Sequence, residues 1–455
     1  MSKVSSRKAF LPQGLAVAVA ALMMNSAHAM TEQQELQQLR AEVKELKALI
    51  HQHLPQASNQ GQNTVASSSA LQATPQVVPL SQQSGNNASP PAPATPATGL
   101  TARTANGAEV KLYGFVRGDA AYQFEGGRGI FNRINTVTLD NAPDKEATED
   151  RFDATATTTR VGVDFKTPIQ GADIGGKVEV DFRGGSSNDT VRIRHAYLTY
   201  NDWLFGQTTS SFLSSETTPE MLDFNAPLGI GTYRTPMVRY SHTLDANTRY
   251  FLGLEKGNDD NRLPAATAKI NHKFADGAGV VTGRALLQEV RARNLTGKEG
   301  DKDRVPEPYF DETELGWGLA VGANFKPTDQ LTLNADYSHV KGDDKFLLYT
   351  ENRYTPEGDG IELNEFNAVS LGATYKFTPQ WRSTLGYGAI FYDDAKATAA
   401  NKEPNEKLQQ GWLNVMFNPV KPITFGAEYV YGERETAAGD KGKDNRIGMM
   451  AKYDF

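Results

Sequence analysis

From Glu109 to Phe455 one pattern recurs: segments of roughly ten residues in which alternate side chains are apolar, separated by turn-rich stretches. The final segment shows it plainly. Ile447, Met449, Ala451, Tyr453 and Phe455 fall on one side of an extended chain; Arg446, Gly448, Met450, Lys452 and Asp454 fall on the other. Upstream, Leu315, Trp317, Leu319, Val321, Ala323 and Phe325 oppose Gly316, Gly318, Ala320, Gly322, Asn324 and Lys326. One face of such a strand suits an apolar medium and the other suits water. A soluble sandwich could hold a few such strands, but the count is about sixteen, and tight connections alternate with long ones. Tight ones fall at 167–173, 245–247, 275–278, 327–329, 378–380 and 418–422. Long polar ones fall at 125–150, 257–264, 293–312, 341–363, 393–407 and 432–443. An even number of strands with unlike ends predicts an all-β fold, a transmembrane antiparallel β-barrel over residues 106–455. Aromatics near segment ends, such as Tyr122, Phe124, Trp381, Phe391 and Tyr453, fit two interfacial girdles. Within 191–200 the alternation breaks after His195, which requires a bulge or a strand covered by another subunit.

No run of roughly 18 apolar residues occurs, so spanning helices are excluded. Residues 1–29 carry the parts of a secretory signal peptide in order: Lys3, Arg7 and Lys8, an apolar run from Leu15 to Leu22, and Ala27-His28-Ala29 for cleavage. Removing these three basic residues and no acidic ones moves the formal net charge from −7 to −10. That acidity argues against a nucleic-acid partner. The absence of cysteine excludes disulfides and thiolate metal sites. Leu36, Leu39, Val43, Leu46 and Ile50 form the a/d seam of a short α-helical coiled coil over 30–53. Glu35 with Arg40, and Glu42 with Lys47, then pair between parallel chains. Residues 54–105 are rich in Pro, Ala, Ser and Gln and nearly free of charge, as a disordered linker is. The expected layout is a coiled coil in the periplasm and a barrel in the outer membrane of a Gram-negative bacterium, among lipid and lipopolysaccharide.

The connection 208–236, after the fifth segment, is of a different kind. It carries Phe212, Leu213, Met221, Leu222, Phe224, Leu228, Ile230 and Tyr233, with fixed bends at Pro219, Pro227, Gly229, Gly231 and Pro236. A loop lying in water would not hold so many apolar side chains. It is read as folded inward against the wall, narrowing the lumen, rather than outward over a neighbouring subunit. Arg117, Lys177, Arg183, Arg192, Arg194, Arg239, Arg249, Lys269 and Arg382 fall on the polar faces of their strands, and Arg234 on the loop. Arginine keeps its charge and grips carboxylates bidentately, so a ladder of it in a narrow pore attracts anions. Asp119, Glu179, Asp181, Asp223, Glu255 and Glu428 are expected to oppose the arginines across the lumen. The candidate set is Arg192, Arg194, Arg234 and Arg239 at a constriction, Arg117, Arg183 and Arg249 along the wall, and Glu220 and Asp223 at the rim. The bland reading is that these arginines merely neutralise acids on adjacent strands.

Gln207, Phe212, the run Thr218-Pro219-Glu220-Met221-Leu222-Asp223-Phe224 and Arg239-Tyr240 resemble the DcaP-like outer-membrane porins. So does the order of signal, coiled coil, linker, barrel and terminal Phe. The resemblance implies a homotrimeric porin with a periplasmic N-terminal coiled coil, taking up small negatively charged solutes, dicarboxylates among them. Thr208-Thr209-Ser210 departs from the pattern, which has an aromatic near that place.

Two other classes compete. An outer-membrane hydrolase needs a nucleophile, a base and an orienting group. His51, His53, His195, His242, His272 and His339 sit in no such context, and no Gly-x-Ser-x-Gly occurs. No cofactor motif or full metal-ligand pattern is found either. The third class is a structural tether or adhesin-like barrel without selective transport. Deleting residues 30–105 separates it from a porin, which keeps its conductance.

Overall fold

The computed structural model describes residues 100–104, 107–131, 133–294, 310–357, 360–393 and 403–455. The expected signal peptide, the coiled coil and nearly all of the linker lie outside them. The strands begin with β1 (Leu100–Arg103), β2 (Glu109–Glu125), β3 (Arg151–Thr155), β4 (Arg160–Ile169), β5 (Ala172–Gly184), β6 (Thr190–Tyr200) and β7 (Trp203–Thr209). They continue with β8 (Arg234–Thr243), β9 (Thr248–Glu255), β10 (Ala265–Phe274), β11 (Gly279–Asn294), β12 (Phe310–Phe325) and β13 (Leu331–Lys341). The last are β14 (Tyr354–Glu357), β15 (Gly360–Leu363), β16 (Glu365–Lys376), β17 (Trp381–Asp393), β18 (Asn405–Phe417), β19 (Ile423–Thr436) and β20 (Lys441–Asp454).

Sequential strands pair antiparallel, and β2 pairs with β20 from Phe115↔Asp454 to Glu125↔Asn445, which closes the sheet. β3 and β4 lie along successive parts of β2 and make one broken stave. β14 and β15 form a separate hairpin. The wall is therefore a closed antiparallel barrel of 16 strands, as the alternation predicts. β1 pairs with the first residues of β2, along the edge that β20 leaves open.

The two faces follow the predicted parity. On β12, Leu315, Leu319 and Val321 point out and are 65%, 57% and 51% exposed. No water-soluble fold leaves a whole ring of strands so uncovered; a lipid belt covers it. Aromatic pairs stand beside the tight turns, with Trp381 and Phe417 stacked at 4.3 Å and Tyr375 edge-on to Phe377 at 5.1 Å. Tyr122 and Phe124 meet at 5.2 Å at the opposite end.

Two expectations need correction or completion. Residues 432–443 are not a long loop: β19 and β20 stay paired as far as Glu435↔Lys441. Beyond the lipid belt both faces of a strand are wet, so a polar run does not end it; Lys441 bridges to Glu433 at 3.0 Å and to Glu435 at 3.6 Å. The irregularity in 191–200 is a bulge, since the β5–β6 register slips between Glu179↔His195 and Val180↔Ile193. It turns both Arg194 and His195 into the barrel, where each is buried.

Candidate functional site

Residues 210–233 connect β7 to β8, and their ends are already adjacent: the Ser210 N–H donates to the Tyr233 carbonyl at 3.1 Å. Between those ends the loop lies on the inner wall. Phe212, Leu213, Leu222, Leu228 and Ile230 are buried, each a gain of about 1.5–3 kcal/mol over exposure. Three buried strand carboxylates hold its polar groups. Glu255 accepts from the Ser211 N–H at 2.8 Å. Asp336 accepts from the Thr217 hydroxyl at 2.6 Å. Glu428 accepts from the Leu222 and Asp223 N–H groups at 2.7 and 2.9 Å. Glu255 and Glu428 therefore do not oppose arginines across the lumen. A strand carboxylate beneath a loop is more useful as an acceptor for backbone donors that would otherwise go unpaired.

Side chains of the loop are anchored as well. Lys269 bridges to Glu216 at 2.8 Å and Arg382 to Glu220 at 2.7 Å, while Asp223 is bonded to Arg446. Burial raises the Glu216 carboxyl, but the Lys269 ammonium outweighs it and holds the group down at about 2. The wall makes room with glycine. A Cβ on Gly372 would stand 2.3 Å from the Pro219 ring, and one on Gly388 would stand 2.2 Å from the Leu228 carbonyl.

Two further connections come inward, which the sequence pattern did not announce. Ile134 and Val137 of 126–150, and Phe346 and Leu347 of 342–353, join Phe212 and Leu228 in one apolar cluster. The Leu348 N–H donates to the Ile230 carbonyl at 3.0 Å, and Phe346 lies edge-on to Phe212 and to Tyr233. Asp343 starts the second of these connections. Its carboxylate accepts from the N–H groups of Lys345, Phe346 and Leu347 at 2.8, 2.9 and 3.1 Å. Burial nevertheless pushes the group up to about 6. A detached segment would release that proton near pH 4. Between those values the docked form binds more protons, so its docking weakens as pH rises from about 4 to about 6 and is level above. Amide exchange at residues 345–347, corrected for intrinsic rates, is expected to speed up across that window and to lose this dependence in Asp343→Asn.

A cavity of about 480 Å³ lies between the loop, the segment 344–350 and the wall. It brings together Arg117, Arg192, Arg194, Arg234, Glu220 and Asp223 from the predicted set. Arg234 is the first residue of β8 rather than part of the loop. Arg183 flanks the cavity, 4.8 Å from the Phe131 ring and 5.8 Å from the Phe224 ring. Arg239 and Arg249 belong to a different group, standing with Lys269 around Phe251 at 5.6, 5.2 and 5.5 Å. Sequence reasoning missed Arg133, Arg160, Lys345 and Lys452 and left Arg382 out of the set. Arg382 already stood on a polar face by parity; Arg133 and Lys345 lie on connections, where parity says nothing.

Several cations are neutralised locally, as the bland reading holds. Arg117 bridges to Asp119 at 2.6 Å, Arg192 to Asp181 at 2.7 Å, and Arg194 to Glu179 at 2.8 Å and Asp181 at 3.0 Å. Asp119, Glu179 and Asp181 thus sit beside the arginines, on the same or the adjacent strand, and not across from them. The guanidinium groups of Arg183 and Arg234 have no carboxylate within 4.0 Å among the described residues, and the Nε of Arg234 is buried without a hydrogen-bond partner there.

A closed barrel with an apolar belt outside and a charged interior defines a channel of an outer membrane, of the porin type. The family model of the DcaP outer membrane protein matches residues 80–455, and the chain belongs to that family. The outer membrane channel DcaP of Acinetobacter baumannii, known from a crystal structure, is 44% identical with a TM-score of 0.69, over 78% of this chain and 99% of that one. OmpT of Vibrio cholerae shares the fold at 15% identity and a TM-score of 0.50, over 78% of this chain and all of that one. OmpF of Salmonella typhi, solved in complex with daunomycin, does so at 15% and 0.51, over the same shares. A comparison with curated protein sequences finds no match. The relative at 44% identity is an outer membrane channel.

Proposed function

We propose that the chain is a homotrimeric porin for passive diffusion of small anionic solutes, dicarboxylates among them, with residues 210–233 as its constriction. The observation that carries this is an inversion of charge. The chain as a whole is acidic, at −7. Yet nine basic side chains line the cavity, against three acidic ones, Glu220, Asp223 and Asp344. A cationic, partly dehydrated passage draws anions in and turns cations away. Arg183 and Arg234 offer guanidinium edges with no carboxylate on them, and such edges grip a carboxylate through paired N–H donors. Arg192 and Arg194 already hold acids, which keeps the grip on a passing solute weak enough for release. In this reading residues 1–29 direct export, 30–53 form a parallel periplasmic coiled coil, and 54–105 link it to the barrel at 106–455.

Planar-bilayer recordings test the proposal. In a potassium chloride gradient the reversal potential is expected to show chloride preference, and added succinate is expected to depress the chloride current by competing for the same groups. A preference for potassium would end the reading.

A further inference from the structure

We infer that Phe224 is the positioning residue of the passage: its ring, carried on the loop, sets where the guanidinium groups of four staves stand. The inference rests on the porin reading above. Phe224 is half-buried and lines the cavity. Four guanidinium centres gather over its ring, Arg117 at 5.6 Å, Arg160 at 5.9 Å, Arg183 at 5.8 Å and Arg194 at 6.0 Å from the centroid. They come from β2, β4, β5 and β6, which belong to four successive staves. These strands would hold their arginines side by side along the wall; the loop supplies the single point on which all four converge.

The attraction is that of a cation for the negative face of an aromatic ring. Its use here lies in what it leaves free. A carboxylate that held an arginine would occupy its N–H groups. A ring face holds the cation through the π system and leaves the N–H edge open to a passing carboxylate. Arg183 shows the difference. Its guanidinium lies against the rings of Phe131 and Phe224 and forms no ion pair within 4.0 Å among the described residues; only its backbone N–H reaches an acid, Asp181, at 3.3 Å.

The ring itself is held from three sides. Phe131 of the connection 126–150 packs on it, with ring centres 6.1 Å apart. The Asn225 side-chain amide donates to the Phe131 carbonyl at 3.1 Å. The preceding residues, Leu222 and Asp223, are fixed to Glu428 through their N–H groups. Phe224 is therefore a fixed post; Arg117, Arg160 and Arg194 are tied to acids as well, whereas the Arg183 guanidinium rests on rings without an ion pair among the described residues.

Phe224→Leu keeps the apolar volume and removes the ring face; Phe224→Tyr keeps both. In bilayers under a potassium chloride gradient, the leucine variant is expected to lower the chloride-to-potassium permeability ratio about threefold. The tyrosine variant is expected to keep the ratio, and both are expected to melt in detergent close to the unsubstituted protein. If leucine leaves the ratio unchanged, or if leucine and tyrosine lower it equally, the inference is overturned. The sign of the unsubstituted protein's own reversal potential judges the anion reading separately. A potassium-preferring channel whose ratio shifts with leucine but not with tyrosine would end that reading and still mark Phe224 as the post.

Discussion

Replacing residues 211–232 with Asn-Gly is expected to multiply the single-channel conductance and abolish discrimination by solute size, while the preference for chloride keeps its sign. The barrel should survive the excision. Thr209 and Arg234 already pair as the last and first residues of their strands, and the Ser210 N–H already meets the Tyr233 carbonyl at 3.1 Å. A two-residue turn of the Asn-Gly kind closes such a ladder without strain. Glu255 and Glu428 would lose their backbone donors but would face water, which replaces them. Asp336 would keep Arg284, at 2.6 Å. The apolar wall that Phe212 and Leu228 cover would become wet, at about 1.5–3 kcal/mol for each side chain exposed, a loss borne by a sheet whose closed ladder remains whole. Charge responds differently from size. Excision removes Glu216, Glu220 and Asp223, the acids that hold Lys269, Arg382 and Arg446. The widened lumen would thus be more cationic, not less. Bilayer conductance and uptake of graded diacids check both halves; an unchanged conductance would show that the loop does not narrow the passage.

That separation between size and charge mirrors what the sequence could reveal. Strand parity is a one-dimensional signal, so the faces of β12 and β20 were legible residue by residue, and so was the closed barrel that they build. The apolar content of 208–236 was legible for the same reason: a Leu or Phe in a connection must find cover. The cover itself was not legible. Glu255, Asp336 and Glu428 meet the loop only because distant staves come together around a lumen, and no spacing in the chain encodes that. The pairing of Arg194 with Glu179 and Asp181 was hidden by the bulge that shifts its register. Polar residues beyond the lipid belt misled in the other direction. Glu433, Arg434 and Lys441 look like loop residues, yet they extend a hairpin, because water on both faces removes the pressure to alternate.

Arg192 and Arg194 stand two residues apart and share Asp181 as a partner, yet their loss is expected to differ sharply. Arg194 is buried, 4% exposed. It bonds Glu179 at 2.8 Å and Asp181 at 3.0 Å. Arg194→Met leaves Glu179, itself buried, with Arg160 at 3.5 Å and the Tyr113 hydroxyl at 2.8 Å. Removing one partner of a buried ion pair costs about 3–5 kcal/mol, because the remaining charge stays desolvated. Arg192 has a side chain 41% exposed, so water already shares its charge. Arg192→Met leaves Asp181 bonded to Arg194, and the loss is expected to stay near or below about 1 kcal/mol. Unfolding by urea in lipid bilayers measures both. Reversal potentials then separate stability from transport. Arg192→Met should weaken the chloride preference in a barrel of nearly native stability, because it removes a cavity-lining guanidinium that is 41% exposed. If the two variants proved equally stable, the bulge at Arg194 would have no structural work to do, and its burial would have to serve the passage alone.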